Sequence, residues 1–231
     1  MTIAVAVKVN DGIVLGADCA ATIFDTSGNV AYVFNNANKI SNLLKGAPIG
    51  FVSWGAGGIG NAGLETLMKD LRRRFAGKDP TRHDWRIDPE NYQIADVASR
   101  AREFLFDEVY AQAFPAGQPR PALGCSVAGY SSGESMADQF HIGIEADGTC
   151  PDAQELCPRD QTPDMRFGGQ SEAILRLLNG YDPQVLNTFR NIGGLTDDQV
   201  NAAVAEISSV IVSPLIAPAM PISDAIQLTS F

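Results

Sequence analysis

Thr2, the second residue of the chain, carries a hydroxyl group that could act as a nucleophile. A threonine hydroxyl is a weak nucleophile at neutral pH and needs a base to take its proton. The α-amino group of an N-terminal threonine can be that base, because its reference pKa of about 7.7 to 8.0 lies close to neutrality. Met1 precedes this small residue, and in that context we expect an aminopeptidase to remove Met1 and expose the amine. The start of the sequence therefore favours chemistry by an N-terminal nucleophile.

Two charged residues further along the chain could support such a nucleophile. A lysine beside a hydroxyl stabilises its developing negative charge, and as a like charge it lowers the pKa of a neighbouring amine. Lys39 is a candidate for this role, and Asp18 is the natural counter-ion for a lysine that becomes buried. Taken singly, Asp18 could simply end a strand and Lys39 could be a solvated loop charge, so their types alone leave both roles open.

A glycine-rich segment, Gly55 to Gly60, lies between a predicted strand and a predicted helix. Its sequence also fits the G-x-G-x-x-G pattern of dinucleotide-binding folds. That fold requires a second parallel strand after the helix, whereas residues 77–84 are polar and contain no apolar strand. We therefore disfavour dinucleotide binding and expect no cofactor.

Hydrophobic patterning predicts the elements that must position these residues. Residues 3–9 and 13–17 are strand-like runs joined by Asn10-Asp11-Gly12, which predicts an opening hairpin covered on both faces. Further strands are expected near 39–40, 49–54, 124–130, 139–145 and 225–229, with helices over 61–75, from 94 to before Pro115, over 171–179 and from 197 to about 215. Tight turns between strands and helices in pairs predict an α+β fold with helix layers over antiparallel sheets.

Composition limits the classes of function. The 231 residues, 45% of them hydrophobic, suffice for one substantial core, so we predict a single domain over residues 1–231. A formal charge of −10 disfavours nucleic-acid binding, which needs clustered lysine and arginine. The four cysteines lack a C-x-x-C pair and the two histidines are far apart, which favours reduced thiols and no metal site. Because we find neither a membrane-span run of about 20 apolar residues nor a secretory signal, we expect a cytoplasmic protein without a membrane partner.

Five short motifs follow one another in the first 75 residues, and these are Thr2 to Lys8, Gly12 to Asp18, Ala20-Ala21-Thr22, Lys39-Ile40 and Ser53 to Gly58. In their order and approximate spacing they resemble the opening of a proteasome β subunit. Bacterial relatives with these motifs are HslV, the Anbu-type ancestral subunits and a proteasome homologue of betaproteobacteria. Beyond residue 75 the likeness is one of general layout. The chain is thus similar to the proteasome-like threonine peptidases of the N-terminal nucleophile class.

This resemblance implies roles for individual residues. Thr2 would be the nucleophile, with Lys39 and Asp18 beside it, and the backbone N–H of Gly57 would face the developing oxyanion. Ser171 matches the second serine of the family's G-S-x-S-like element. The residues that would pair with an extended peptide, or line an apolar pocket for the residue before the cleaved bond, are Ala21, Thr22, Ala37, Gly55 and Ile59.

Two elements of the family are altered in the second half of the chain. Gly169 stands where the family has the first serine of the G-S-x-S-like element. The family's late D-x-x-S-G element has no clean equivalent, because the matching stretch runs from Ala219 to Asp224 as Ala-Met-Pro-Ile-Ser-Asp. Supporting groups hold the reacting groups in productive geometry, and their loss can lower a rate by orders of magnitude. We therefore expect slow peptide hydrolysis even when Thr2 is free.

For the whole molecule, the resemblance implies a four-layer α-β-β-α sandwich of the N-terminal nucleophile hydrolase type, with two antiparallel sheets between helix layers. It also implies a homo-oligomer, in stacked rings or a related self-compartmentalised assembly, that takes peptide or unfolded protein as substrate. An ATPase unfoldase partner is unknown. Two alternatives remain open, a proteasome-like shell with little or no catalytic activity and a small-molecule amidase of the same class.

Overall fold

A computed structural model describes residues 2–24, 27, 29–115, 120–179, 196, 198–199 and 226–230. Contacts group the chain into two units, of which the larger comprises Met1–Gly169 with Ala225–Phe231 and the smaller Gln170–Asp224. Within the smaller unit, the predicted helix over 171–179 is observed as α4 (Glu172–Asn179). The prediction of a single domain over the whole chain stays a prediction.

The larger unit holds all the strands that the structure describes. They are β1 (Ile3–Val9), β2 (Gly12–Asp18), β3 (Ala21–Phe24), β4 (Val30–Phe34), β5 (Ile40–Asn42), β6 (Ile49–Gly55), β7 (Gly58–Ile59), β8 (Ala62–Gly63), β9 (Leu123–Gly129), β10 (Asp138–Ile144), β11 (Gln154–Glu155), β12 (Asp164–Gly169) and β13 (Ile226–Ser230). Its helical segments are α1 (Leu64–Phe75), a 3₁₀ turn (His83–Trp85), α2 (Ile94–Arg102), a π-helical segment (Glu103–Tyr110) and α3 (Ala111–Ala113).

Two antiparallel sheets form the centre of this unit. The first sheet has the strand order β12-β1-β2-β13, and the second has the order β11-β10-β9-β6-β5. The predicted opening hairpin is confirmed, because β1 pairs with β2 from Ala4 opposite Ala17 to Val9 opposite Gly12. The sheets therefore carry the antiparallel character that the tight turns predicted.

A small apolar core lies between the two sheets. The first sheet contributes alternate residues of β1 and β2, and the second contributes residues of β5, β6 and β9; the cluster contains Ala4, Ala6, Ile13, Leu15, Ala17, Ile40, Val52, Ala128 and Ala137. Because successive side chains of a strand point to opposite faces, the remaining residues of β1 and β2 lie on the outer face. Val14 on that face is exposed. This departs from the prediction of strands covered on both faces.

Helices cover the other face of the second sheet. The apolar stripe of α1 is buried as its spacing predicted, with Leu64, Leu67, Met68, Leu71 and Phe75 on one side. Helix α2 and the π-helical segment add a second group of buried residues that joins the same core as the inner residues of β6 and β9. The described residues thus give helices over two antiparallel sheets, while the fourth layer of the predicted sandwich remains unconfirmed.

Two local features differ from the sequence prediction. Helix α1 begins at Leu64 rather than near residue 61, because β7 and β8 pair as a short ribbon with Gly58 opposite Gly63. Residues 21–34, for which no strand was predicted, contain a hairpin in which β3 pairs with β4. The predicted helix from 197 to about 215 lies outside the described residues, apart from residues 198 and 199. Among the helices that the structure describes, none has the length and apolar character needed to cross a membrane.

Candidate active site

A cleft of about 690 Å³ opens where β1 begins and β6 ends. Seven of the ten residues predicted for the site line it, and these are Thr2, Ala21, Thr22, Ala37, Lys39, Gly55 and Gly57. They come from the start of β1, from β3, from the segment before β5 and from the end of β6. The fold therefore brings together residues that are up to 55 positions apart in the sequence.

An ion pair between Lys39 and Asp18 lies at this cleft. The Lys39 Nζ atom is 2.9 Å from Asp18 Oδ1, and the two side chains are only 10% and 21% exposed. The ammonium group also donates a hydrogen bond of 2.5 Å to the carbonyl oxygen of Ala20. Both of these partners compensate for the cost of burying the lysine charge. The pairing of Asp18 with Lys39 that the residue types suggested is thus present in the folded chain.

The Asp18 carboxylate also fixes the backbone next to Thr2. Its Oδ1 atom accepts a hydrogen bond of 2.7 Å from the Ile3 N–H, and its Oδ2 atom accepts one of 3.1 Å from the Ala20 N–H. The Ile3 N–H belongs to the peptide bond that joins Thr2 to Ile3. One carboxylate therefore positions both the lysine and the residue that carries the candidate nucleophile.

Gly169 packs against the Thr2 backbone from the neighbouring strand. It pairs with Ile3 in the register of β1 and β12, and its φ angle of 74° lies in the left-handed region that favours glycine. A Cβ atom added at Gly169 would lie 2.1 Å from the Thr2 carbonyl oxygen. The absence of a side chain at this position is therefore a requirement of the close approach between the two strands.

The turn from Gly55 to Gly57 forms another wall of the cleft. Gly55 has a φ angle of 86°, and a Cβ atom there would lie 2.6 Å from the Ala122 carbonyl oxygen. That same oxygen accepts a hydrogen bond of 3.0 Å from the Ala56 N–H, and the Gly57 carbonyl accepts one of 3.0 Å from the Leu64 N–H. Both ends of the turn are thus anchored, while a Cβ atom built on Gly57 would meet open space.

Three predicted site residues are not among those that line the cleft. Asp18 acts on the cleft through Lys39 and the Ile3 N–H, as described above. Ile59 is only 1% exposed and packs in the core beneath the helices, so the expectation that its side chain lines a substrate pocket needs correction. Ser171 belongs to the smaller unit, where its carbonyl oxygen accepts a hydrogen bond of 2.9 Å from the Leu175 N–H, and its catalytic role stays a prediction.

Several apolar residues of the cleft were not predicted from the sequence. Ile23 of β3 and Phe34 of β4 line it together with Trp54 of β6. The Tyr32 ring packs edge-on against Phe34, with ring centroids 4.5 Å apart. The signal in the sequence was the apolar run from 30 to 34, whose valine, tyrosine and phenylalanine residues are common in strands. The Ile23 and Phe34 side chains make one side of the cleft suitable for apolar parts of a ligand.

A second and smaller cavity of about 260 Å³ lies between the two sheets. Trp54 lines this cavity as well as the cleft, and its ring stacks on His141 with centroids 5.6 Å apart and an interplanar angle of 10°. The His141 Nδ1 atom is 3.1 Å from the carbonyl oxygen of Cys125. Burial lowers the pKa of His141, and the Cys125 carbonyl and the Glu145 carboxylate offset this effect only in part.

Because His141 is half-buried and its pKa is lowered, we expect a loss of stability in mild acid. As the pH falls below about 6.5, the unfolded chain binds a proton at His141 that the folded state resists, so the free energy of unfolding decreases. The contribution is at most about 1.4 kcal/mol per pH unit. Denaturant unfolding between pH 7 and pH 5.5 should show this decrease, and His141→Phe should make it smaller. Equal pH dependence in the wild type and in His141→Phe would contradict the prediction.

The described residues contain no group of three or more histidine, cysteine, aspartate or glutamate side chains placed to hold a metal ion. The cleft offers the Thr2 hydroxyl, the Lys39 ammonium group that Asp18 holds, and the backbone of the turn from Gly55 to Gly57.

Comparison with known proteins identifies similar folds. No protein-family model matches the sequence, and no curated protein matches it by sequence. The solved structure of Anbu (ancestral beta-subunit) from Yersinia bercovieri is similar with a TM-score of 0.52 and 16% identity, covering 99% of this chain and 81% of that one. The Anbu complex from Pseudomonas aeruginosa, described as a helical assembly, gives a TM-score of 0.45 and 17% identity over 99% of this chain and 80% of that one. Of these two, only the TM-score of the Yersinia bercovieri structure is high enough to support a shared fold. It supports the proteasome-like fold that the resemblance implied.

Proposed function

We propose that this chain is a threonine-type peptidase in which Thr2, freed of Met1, is the nucleophile. One observation carries the proposal, namely the Lys39–Asp18 ion pair at the cleft that Thr2 lines. An ammonium group held by a carboxylate beside a threonine is the arrangement that an N-terminal nucleophile needs, because it stabilises negative charge on the hydroxyl oxygen. The likeness to the Yersinia bercovieri Anbu structure supports the fold in which such a site would operate.

In the proposed reaction, the free α-amine of Thr2 takes the proton of the Thr2 hydroxyl, and the oxygen attacks the carbonyl carbon of the scissile peptide bond. The Gly57 N–H stabilises the oxyanion of the tetrahedral intermediate, and the Lys39 cation favours the neutral form of the amine. The intermediate then collapses to an ester on Thr2, and the leaving amine takes the proton. A water molecule, deprotonated by the same α-amine, hydrolyses the ester and restores the hydroxyl.

The substrate of the proposed reaction is a peptide or an unfolded protein. Ala21, Ile23 and Phe34 give the cleft an apolar side, which suits an apolar residue before the cleaved bond. The resemblance of the first 75 residues also leads us to propose a homo-oligomer, in stacked rings or a related assembly, that encloses the site.

Mass spectrometry of the intact protein tests this function, with and without an epoxyketone or β-lactone probe. The labelled species should lack Met1 and carry one probe molecule, because only a free Thr2 has both the hydroxyl and the amine that the reaction uses. Thr2→Ala should abolish labelling, whereas Thr66→Ala, on the exposed side of α1, should not. A labelled species that retains Met1 would show the mechanism to be wrong.

A second candidate, a proteasome-like assembly with little catalytic activity, is favoured by one observation. Gly169 packs so closely on the Thr2 carbonyl that the serine found there in the family could not be accommodated without movement. The terminal amine would then lack one supporting hydroxyl group. The two candidates differ in turnover: the peptidase hydrolyses peptides with apolar residues before the cleaved bond, whereas the assembly with little activity is labelled by the probe but releases product slowly or not at all.

A further inference from the structure

The side chain of Trp54 separates the cleft from the smaller cavity between the sheets. Trp54 directly precedes Gly55, at which the glycine-rich turn begins, and it lines both spaces. One face of its ring stacks on His141 of β10. The indole therefore stands between the candidate active site and the interior of the sandwich.

Two glycines on different sheets make the space that the indole occupies. A Cβ atom added at Gly124 of β9 would lie 2.1 Å from the indole Nε1 atom, and one added at Gly168 of β12 would lie 2.4 Å from Cδ2. Gly124 is the direct cross-strand partner of Trp54 in the second sheet, and Gly168 faces Ala4 in the first sheet. Backbone from both sheets thus closes on the two sides of one ring.

Trp54 lies against both walls of the cleft. On one side its indole packs on Gly168 of β12, and its Cβ atom would lie 3.3 Å from a Cβ atom added at the next residue, Gly169, which packs on the Thr2 carbonyl oxygen. On the other side Trp54 continues directly into Gly55, whose backbone is held against Ala122. A change in the size of residue 54 would act on both walls at once, since tightly packed interiors transmit such changes.

We propose that Trp54 is a positioning residue, whose indole, wedged between Gly124 and Gly168, sets the separation between Thr2 and the turn from Gly55 to Gly57. The geometric part of this inference depends only on packing, and its catalytic consequence rests on the proposed function. A misplacement of about 1 Å between reacting groups can lower a rate by about a hundredfold. Trp54 need not touch the substrate to have this effect.

Crystal structures of the wild type, Trp54→Phe and Trp54→Ala test the geometric part. The distance between the Thr2 Cα atom and the Gly57 nitrogen should differ from the wild type by about 1 Å in Trp54→Ala and by less in Trp54→Phe. An unchanged distance in Trp54→Ala would overturn the proposal. If Trp54→Ala does not fold, Gly168→Ala takes its place, since the added methyl group must displace the indole and so change the same distance.

Covalent labelling by a β-lactone tests the consequence for the reaction. Trp54→Ala should lower the maximal labelling rate about a hundredfold while the concentration for half-maximal rate changes by less than about threefold, because orientation and not binding is lost. Trp85→Phe, which alters a buried ring in the helical layer, should leave both values unchanged. Gly168→Ala should slow labelling in the wild-type background but have little further effect in the Trp54→Ala background. If it slows labelling equally in both backgrounds, it does not act through the indole, and the proposal is wrong. If the wild type itself is not labelled, the proposed function fails, and the crystal structures still decide the role of Trp54.

Discussion

Lys39→Ala should lower the rate at which a β-lactone labels Thr2 by at least about a hundredfold. The substitution removes the ammonium group that Asp18 holds at the cleft, and with it the positive charge that stabilises the developing oxygen anion. Loss of one such stabilising group typically costs about a hundred- to a thousandfold in rate. The labelled fraction can be followed over time by mass spectrometry of the intact protein.

A matched control separates this effect from a general loss of charge. Lys45→Ala removes an exposed lysine a few residues further along the chain and should not alter the labelling rate. Light scattering should show that the Lys39→Ala variant assembles as the wild type does, since Lys39 lies in the cleft. Undiminished labelling of a folded Lys39→Ala variant would refute the role proposed for the residue.

Gly169→Ser, which introduces the serine of the resembled family, should impair the protein instead of improving it. At a φ angle of 74° a residue with a side chain costs about 1 to 2 kcal/mol in the backbone. The new Cβ atom would also meet the Thr2 carbonyl oxygen at 2.1 Å, and relief of that overlap costs about 1 to 3 kcal/mol more. We expect the free energy of unfolding to fall by about 3 kcal/mol and labelling of Thr2 to slow, because the strand that carries Thr2 must move.

Gly133→Ser distinguishes the two contributions. Gly133 has a similar φ angle of 78°, but a Cβ atom there would meet nothing within 4 Å, so only the backbone cost applies. Urea unfolding of the two variants should therefore show the larger loss for Gly169→Ser. The prediction is wrong if Gly169→Ser is as stable as Gly133→Ser and is labelled faster than the wild type. In that case the close approach of Gly169 to Thr2 tolerates a serine side chain.

Local signals in the sequence were sufficient for much of the framework. The opening hairpin followed from two β-branched runs around Asn10-Asp11-Gly12, and the buried face of α1 followed from its helical spacing. Both depend on neighbours a few residues apart, which is the range over which hydrophobic periodicity is informative. The late strand expected near 225–229 is observed as β13, whereas the stretch from Ala219 to Asp224 lies outside the described residues.

The position of the candidate site could also be predicted, but from a resemblance in motif order and not from periodicity. Thr2, Lys39 and Gly57 were expected together and all line one cleft. The roles of these residues, and that of Ser171, remain proposals that the labelling experiments address. Ile59 shows the limit of such transfer, since its side chain packs in the core once β7 pairs with β8.

The sequence by itself determined which residues could react and which segments would pair locally, because both follow from residue type and short-range spacing. Only the tertiary structure decided that the Asp18 carboxylate holds the Ile3 N–H as well as Lys39. It also decided that Gly124 and Gly168 leave room for one indole and that Gly169 leaves room for the Thr2 carbonyl. The three glycine contacts join residues that are at least 70 positions apart in the chain. They depend on how distant strands pair and on how closely the two sheets pack, and that spacing is set by side-chain volumes on both sheets, which no single segment encodes.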